Sequence, residues 1–265
     1  MSADKPGLFA LPSLSCRVFT VWRRNLDVFL KTYRINFIPP FLEPLLYLVA
    51  LGFGLGFYVQ EVEGVPYIRY IAPAILAISV MNSSFFECTY GSYVRMYFQK
   101  SFDAIIATPL SIEEVIAGEM LWGATRSLIY AAIMLPVLIA FGVVALPISF
   151  LVLPFAFLAG LLFAAIAMCF TAISPGIDTL NYPSFLFITP MLLFSGTFFP
   201  LTLLPEWLQY IAYAVLPLTH VVGIMRMLTL PDVSWVALAH LAWIGIVTLV
   251  FFIVAINLMR RRLIV

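Results

Sequence analysis

The sequence predicts an all-α integral membrane protein with six transmembrane helices, an amphipathic N-terminal interfacial helix, re-entrant helices before the last span and both termini cytoplasmic. Three observations carry that prediction. First, 63% of the 265 residues are hydrophobic and 10% are charged, whereas soluble domains hold roughly 45–50% apolar and about 25% charged residues. A globule of this size could not hide so much apolar surface from water, so lipid must be part of its solvent. Second, apolar stretches near the roughly 20 residues that a spanning helix needs recur at 36–59, 69–91, 115–141, 148–173, 183–200 and 235–258. Third, threading six spans places Lys5, Arg17, Arg23, Arg24, Lys31, Arg34, Arg95, Lys100, Arg260, Arg261 and Arg262 on one side. The other side keeps Arg69 and Arg226, and Arg126 falls inside a span. Cations gather on the cytoplasmic face, so both termini belong there and the number of crossings is even.

Composition also excludes some classes. The net charge of +1 offers no basic face for nucleic acid. Cys16, Cys88 and Cys169 match no metal or redox spacing and read as small apolar fillers. The first 35 residues show no cleavable signal pattern, which points to an inner-membrane protein whose first span directs its own insertion.

Residues 1–35 form the N-terminal cytoplasmic segment. Between Leu14 and Arg34, polar residues Arg17, Thr20, Arg24, Asp27, Lys31 and Arg34 recur every three or four positions, opposite Val18, Phe19, Trp22, Leu26, Phe29 and Tyr33. A basic amphipathic helix just before a span lies along the inner leaflet. It serves either as an electrostatic anchor or also as a lever on the first span.

The transmembrane domain, 36–258, carries three ionisable residues in its inner half: Glu43 in span one, Glu87 in span two and Arg126 in span three. A charge at mid-bilayer costs about 2.5–3.5 kcal/mol on insertion scales and requires a partner. One reading pairs Arg126 with Glu43, Glu87 or both, holding spans one to three together. The other places Glu87 with Asn82 and Tyr90 at the inner mouth of a pathway.

The loop 92–114 predicts a short helix on which Phe98, Phe102, Ile105 and Ile106 make an apolar stripe among Gln99, Lys100 and Asp103. Pro109 ends it, and Ser111 with Glu114 makes a capping box for the next helix. Exposed aromatics there dock into a partner groove or lie among lipid headgroups. The apolar segment 203–230 is broken by Pro205 and Pro217 and carries Glu206, His220 and Arg226, which suits paired re-entrant helices better than a seventh span. His220 and His240 are too isolated for a metal site, and His220 caps or bridges the outer helices. Residues 259–265 form a basic cytoplasmic tail.

Three blocks in this order resemble one known family. They are Glu43-Pro-Leu-Leu-Tyr47 leading into Gly52-Phe-Gly-Leu-Gly56; Phe98-Gln-Lys-Ser-Phe-Asp-Ala-Ile-Ile-Ala-Thr-Pro109 followed by Gly118-Glu119; and Phe194-Ser-Gly-Thr-Phe-Phe-Pro200 with Leu204-Pro205, Leu216-Pro-Leu-Thr-His220 and Arg226. The family is that of the type-2 ABC transporter permeases, in particular the branch of nodulation-factor (lipo-oligosaccharide) exporters. The resemblance implies that Phe98, Gln99, Lys100, Phe102, Asp103, Ala104, Thr108 and Pro109 belong to a coupling helix that meets a nucleotide-binding ATPase subunit. It implies that the N-terminal helix is a connecting helix and that two copies of the chain form the pathway. The substrate would be an amphiphile: a lipid-linked glycan, a lipo-oligosaccharide or a drug. None of the lysines, Lys5, Lys31 and Lys100, follows a Gly-rich phosphate loop, so ATP and Mg are expected on the partner subunit and no cofactor in this chain.

Other classes fit less well. A self-contained secondary transporter or channel would favour internal repeats with broken helices at the midplane, and no repeat is evident. A membrane enzyme would cluster catalytic groups, and neither a paired His motif nor a Ser with a neighbouring base occurs. A pure scaffold leaves the loop pattern unexplained.

Overall fold

The computed structural model describes residues 7–230 and 234–263, and leaves the side chains at 34–37, 39, 40 and 103 outside that description. Lys5 and the side chains of Arg34 and Asp103 are therefore outside the described residues. The described chain is helical apart from one small hairpin, β1 (Glu61–Val62) with β2 (Val65–Pro66).

Helix α1 (Val18–Lys31) gives way at Thr32 to α2 (Tyr33–Val49), which continues through a π-helical stretch, Ala50–Leu55, and Gly56–Val59. Helix α3 (Tyr67–Phe98) is followed by the short α4 (Ser101–Ile106), then α5 (Ile112–Ala140) and α6 (Ile148–Ile173). Next come α7 (181–194), α8 (Glu206–Val215), α9 (Pro217–Thr229) and α10 (Val236–Leu263). Among the described residues five helices are long and apolar enough to cross a membrane: the Phe41–Val59 part of α2, with α3, α5, α6 and α10. The α8–α9 pair would make a sixth if it counts as one crossing.

The expected span at 183–200 is helical only as α7, about 20 Å long at 1.5 Å per residue, against a hydrocarbon core of about 30 Å. Ser195 and Gly196, with Gly196 at φ 70°, end the helix. The segment nevertheless starts beside one end of α3, where Tyr90 Oη donates to Asn181 Oδ1 at 2.7 Å. It finishes beside the other end, where Tyr70 and Tyr67 donate to the carbonyls of Gly196 and Phe198. Helices α8 and α9 meet at 88°, because Leu216 is extended and Pro217, lacking an N–H, can only begin a helix.

The core is built by α3, α5 and α6 on small residues. Added Cβ atoms at Gly123 and Gly160 would come within 2.6 Å of Cys88 Sγ and 2.5 Å of Ser127 Cβ. Lipid gives helices no hydrophobic reason to associate, so such close approach supplies the packing. Cys88 and Cys169 are buried free thiols and Cys16 is exposed.

Helix α1 crosses α5 at Gly118, where a Cβ would meet Val21 Cβ at 2.6 Å and the Val18 carbonyl at 3.0 Å. The face turned inward is Val18, Val21 and Asn25, while Phe19, Val28 and Leu30 stay exposed. The capping box forms as expected: Glu114 N donates to Ser111 Oγ at 3.2 Å and Ser111 N to the Glu114 carboxylate at 2.8 Å.

The two terminal segments meet at the end of the bundle where α5 begins. Asn257 Nδ2 donates to the carbonyls of Leu8 (3.1 Å) and Ala10 (2.8 Å), and Arg260 pairs with Glu113 at 2.7 Å. The residues expected as a basic tail are thus helical to Leu263, with Arg262 bonded to the Thr171 and Ala172 carbonyls.

Gly118→Val should overpack the α1–α5 crossing and cost about 1–3 kcal/mol, read as a lowered thermal midpoint in detergent. Gly245→Ala, where an added Cβ meets nothing within 4 Å, should show no loss.

Candidate functional site

Two carboxylates stand in the C-terminal half of α3 and the N-terminal part of α5. Glu119 is 0% exposed and Glu87 7%. A buried charge is tolerated only when paired and hydrogen-bonded, and both are. Glu87 accepts from Arg126 Nη1, from Arg95 Nη1 at 2.7 Å and from Trp122 Nε1 at 2.9 Å. Glu119 accepts from Arg95 Nε at 2.8 Å, Ser92 Oγ at 3.0 Å, Asn25 Nδ2 at 2.8 Å and Arg24 Nη2 at 3.4 Å. Arg95 bridges the two carboxylates, so α1, α3 and α5 share one network.

The backbone of α3 makes this possible. Residues eight apart on an α-helix lie about 80° apart in rotation, which would separate Glu87 from Arg95. The wider π turns at Glu87–Gly91 and Val94–Phe98 bring them back to one face. Gly91 leaves room for the carboxyl, since a Cβ there would sit 3.2 Å from it.

Of the expected pairings, Arg126 with Glu87 forms. Arg126 with Glu43 does not: Glu43 is exposed on α2, and among the described residues it makes no ion pair. Arg95, expected in the cytoplasmic loop, is instead the central cation.

Three cavities run beside this network. The first, about 550 Å³, lies between α1 and α3 and is lined by Arg24, Tyr90, Arg95, Gln99, Trp122 and Arg126, among others. The second, about 210 Å³, is lined by Glu43, Asn82, Ser83, Phe86, Glu87, Arg126 and Tyr130. The third, about 100 Å³, shares Glu43, Asn82 and Tyr130 and adds Tyr47, Leu51, Ile75, Ile78, Ser79, Leu192 and Phe198. The expected pathway residues Asn82, Glu87 and Tyr90 therefore line neighbouring cavities. Tyr90 is also tied to Asn181, as described above.

The loop expected to hold one short helix divides differently. Phe98 closes α3 and is 66% exposed, Gln99 and Lys100 form the break, and α4 begins at Ser101. Lys100 takes φ 51°, an uncommon conformation for a residue with a Cβ. Phe102, expected on an exposed stripe, is fully buried at 0% and anchors α4 in the core. Ala104, Thr108 and Pro109 are exposed, and Arg17 Nη1 donates to the Pro109 carbonyl at 2.6 Å.

At the opposite end, Arg226 donates to Gly196 O at 2.6 Å and lies 3.8 Å from the centre of the Tyr70 ring. Glu206 is exposed in the first turn of α8. His220 and His240, expected to be isolated, face each other with Nδ1 atoms 2.7 Å apart, and the other ring nitrogen of His220 lies 2.8 Å from Tyr213 O. His220 thus bridges α8, α9 and α10. Among the described residues no group of three potential metal ligands exists.

With this arrangement in place, comparison with known proteins decides the family. The model of the ABC-2 type transporter family matches residues 17–230. The chain belongs to the ABC-2 type transporter family. It is 32% identical to nodulation protein J of Sinorhizobium fredii, with 96% of each chain covered, and 34% identical to nodulation protein J of Rhizobium leguminosarum bv. trifolii, with 99% of each covered. It is 26% identical to the inner membrane transport permease YadH of Escherichia coli over 73% of this chain and 75% of that one. No solved structure matches. This ABC-2 protein is accordingly a multi-pass membrane protein of permease type.

Arg95→Ala removes the cation shared by both buried carboxylates and should cost about 3–5 kcal/mol in denaturant titrations of the detergent-solubilised protein. Arg24→Ala, at a longer and partly exposed pair, should cost about 1 kcal/mol or less.

Proposed function

We propose that this chain is the transmembrane permease subunit of an ATP-driven exporter. Two copies would form the pathway, a separate nucleotide-binding subunit would bind ATP and Mg, and an amphiphile would move outward across the inner membrane. A lipid-linked glycan, a lipo-oligosaccharide or a drug fits that description.

The observation that carries the proposal is the surface around the α3–α4 break. Tyr97, Phe98, Gln99, Lys100, Ala104, Thr108 and Pro109 are all exposed at the end of the molecule where the basic residues gather. An exposed aromatic pair beside a buried charge network suits a protein partner better than open water. In this reading Phe98, Ala104 and Thr108 contact the ATPase and Phe102 acts from within, transmitting force to the core. ATP-driven closure of the partner would move α4. The Glu87–Arg95–Glu119 network would carry that motion into α1, α3 and α5 together, rocking α2, α3 and α7 across the interface between the two copies.

The topology supports the same reading. Terminal segments that meet at one end require an even number of crossings. Counting α2, α3, α5, α6, the 181–200 segment and α10 gives six. Helices α8 and α9 then form the re-entrant pair at the outer end, where Arg226 and the two histidines hold them. The concentration of Lys and Arg at the other end supports cytoplasmic termini. Helix α1, with Phe19, Val28, Leu30 and Tyr33 exposed, would rest one face on the inner leaflet while its other face grips α5.

The test is co-purification in mild detergent from the native membrane. Wild type is expected to bring down a P-loop ATPase. Phe98→Asp combined with Thr108→Asp should lose at least tenfold of it at unchanged size-exclusion elution. Wild type that recruits no ATPase would remove the proposal and leave a self-contained transporter.

A further inference from the structure

The two cavities beside Glu43 hold hydrogen-bonding capacity that the charge network does not use. Ser79 Oγ donates to Ile75 O at 2.9 Å and so offers lone pairs only, while Ser83 Oγ lies 2.9 Å from Val80 O and 3.0 Å from Ser127 Oγ. Asn82 Oδ1 is buried with no hydrogen-bond partner. Tyr130 Oη already accepts from Arg126 Nη2 at 3.3 Å. Arg126, the one cation among the described residues lining these cavities, is bonded to Glu87.

Charge points the same way as hydrogen bonding. Glu87 faces these spaces already held by both Arg126 and Arg95, whereas Glu43 faces them with no cation within ion-pair distance among the described residues. A charged side chain in the apolar part of a bilayer is costly and marks a site that expects a counter-charge. The remaining walls, including Leu51, Ile75, Ile78 and Leu192, are hydrocarbon. Apolar walls with a few convergent polar groups are the usual composition of a small-molecule site.

We propose that these two adjoining cavities bind the head of a cationic amphiphile, with Glu43 as its counter-ion and Asn82 accepting an ammonium N–H. The alkyl part would lie along the apolar wall between α2 and α3. The inference deepens the permease reading, because it names a substrate class for the same pathway. A neutral polar head would leave the Glu43 charge unmet, and an anionic head would be repelled by it.

The test uses the full chain in phosphatidylcholine nanodiscs and three chain-matched fluorescent dodecyl probes, carrying ammonium, hydroxyl or sulfonate heads. Wild type should bind the ammonium probe saturably and at least tenfold more tightly than the other two. Glu43→Gln should lose that preference, Glu43→Asp should keep most of it, and Asn82→Leu should weaken ammonium binding several-fold. Glu61→Gln, on the distant hairpin, should bind as wild type. Equal binding of the three probes to wild type, or a preference that survives Glu43→Gln, would overturn the proposal. A preference for the sulfonate head would overturn it as well. Recruitment of the ATPase is measured separately, so a site that fails in a chain that still recruits its partner leaves the permease reading standing. A site that binds in a chain that recruits nothing removes the permease reading alone.

Discussion

Two carboxylates buried between neighbouring spans set the conditions for the rest of this structure. Glu87 and Glu119 cannot stay ionised in an apolar interior without cations and donors around them, and the fold is arranged to bring those in. Arg126 comes from the helix opposite Glu87. Arg95 comes from the same helix as Glu87, through π turns that bend the register to suit. Arg24 and Asn25 come from the N-terminal helix, which reaches them only because Gly118 lets its backbone lie against α5. The docking of α1, the irregularity of α3 and the small residue on α5 thus answer a single electrostatic demand.

That demand also explains where stiffness and accessibility are placed. The network welds α1, α3 and α5 just ahead of the α3–α4 break, and Phe102 inserts α4 into the same core. A push on the exposed side of that break therefore reaches packed helices directly, without a flexible loop to absorb it. The opposite end is held by different chemistry. There a guanidinium over an aromatic face, carbonyl acceptors and a pair of histidines secure the bent α8–α9 pair. Between the two ends lie the cavities beside Glu43, whose carboxylate the network leaves out.

Much of this was legible in the residues. Apolar runs located the long helices, because burial in lipid demands length and hydrophobicity that composition records directly. The capping box at Ser111 follows from local spacing, and the cost of a lone charge calls for a partner to Arg126, which the sequence narrows to Glu43, Glu87 or both. Counting cations by loop assumes that a basic residue stays where the span ends, whereas the long side chain of Arg95 reaches back to Glu87 and Glu119. Helical periodicity yields a stripe without saying what covers it, so the sequence alone cannot tell that Phe102 is core. The histidines looked isolated because 20 residues of chain separate them, and only the packing of α9 on α10 makes them neighbours.

The sequence by itself determined that this is a helical membrane protein with its cations gathered at one end, and which charges inside it needed partners. Those properties depend on composition and on short-range spacing, which the chain carries whatever its tertiary contacts. The tertiary structure alone decided which arginine serves which carboxylate, which aromatic of the α3–α4 loop is core and which is surface, and that Glu43 is left facing a cavity. Each of those outcomes turns on rotations of a helix by a fraction of a turn, set by π turns and by glycine contacts between distant segments, and no local pattern encodes them.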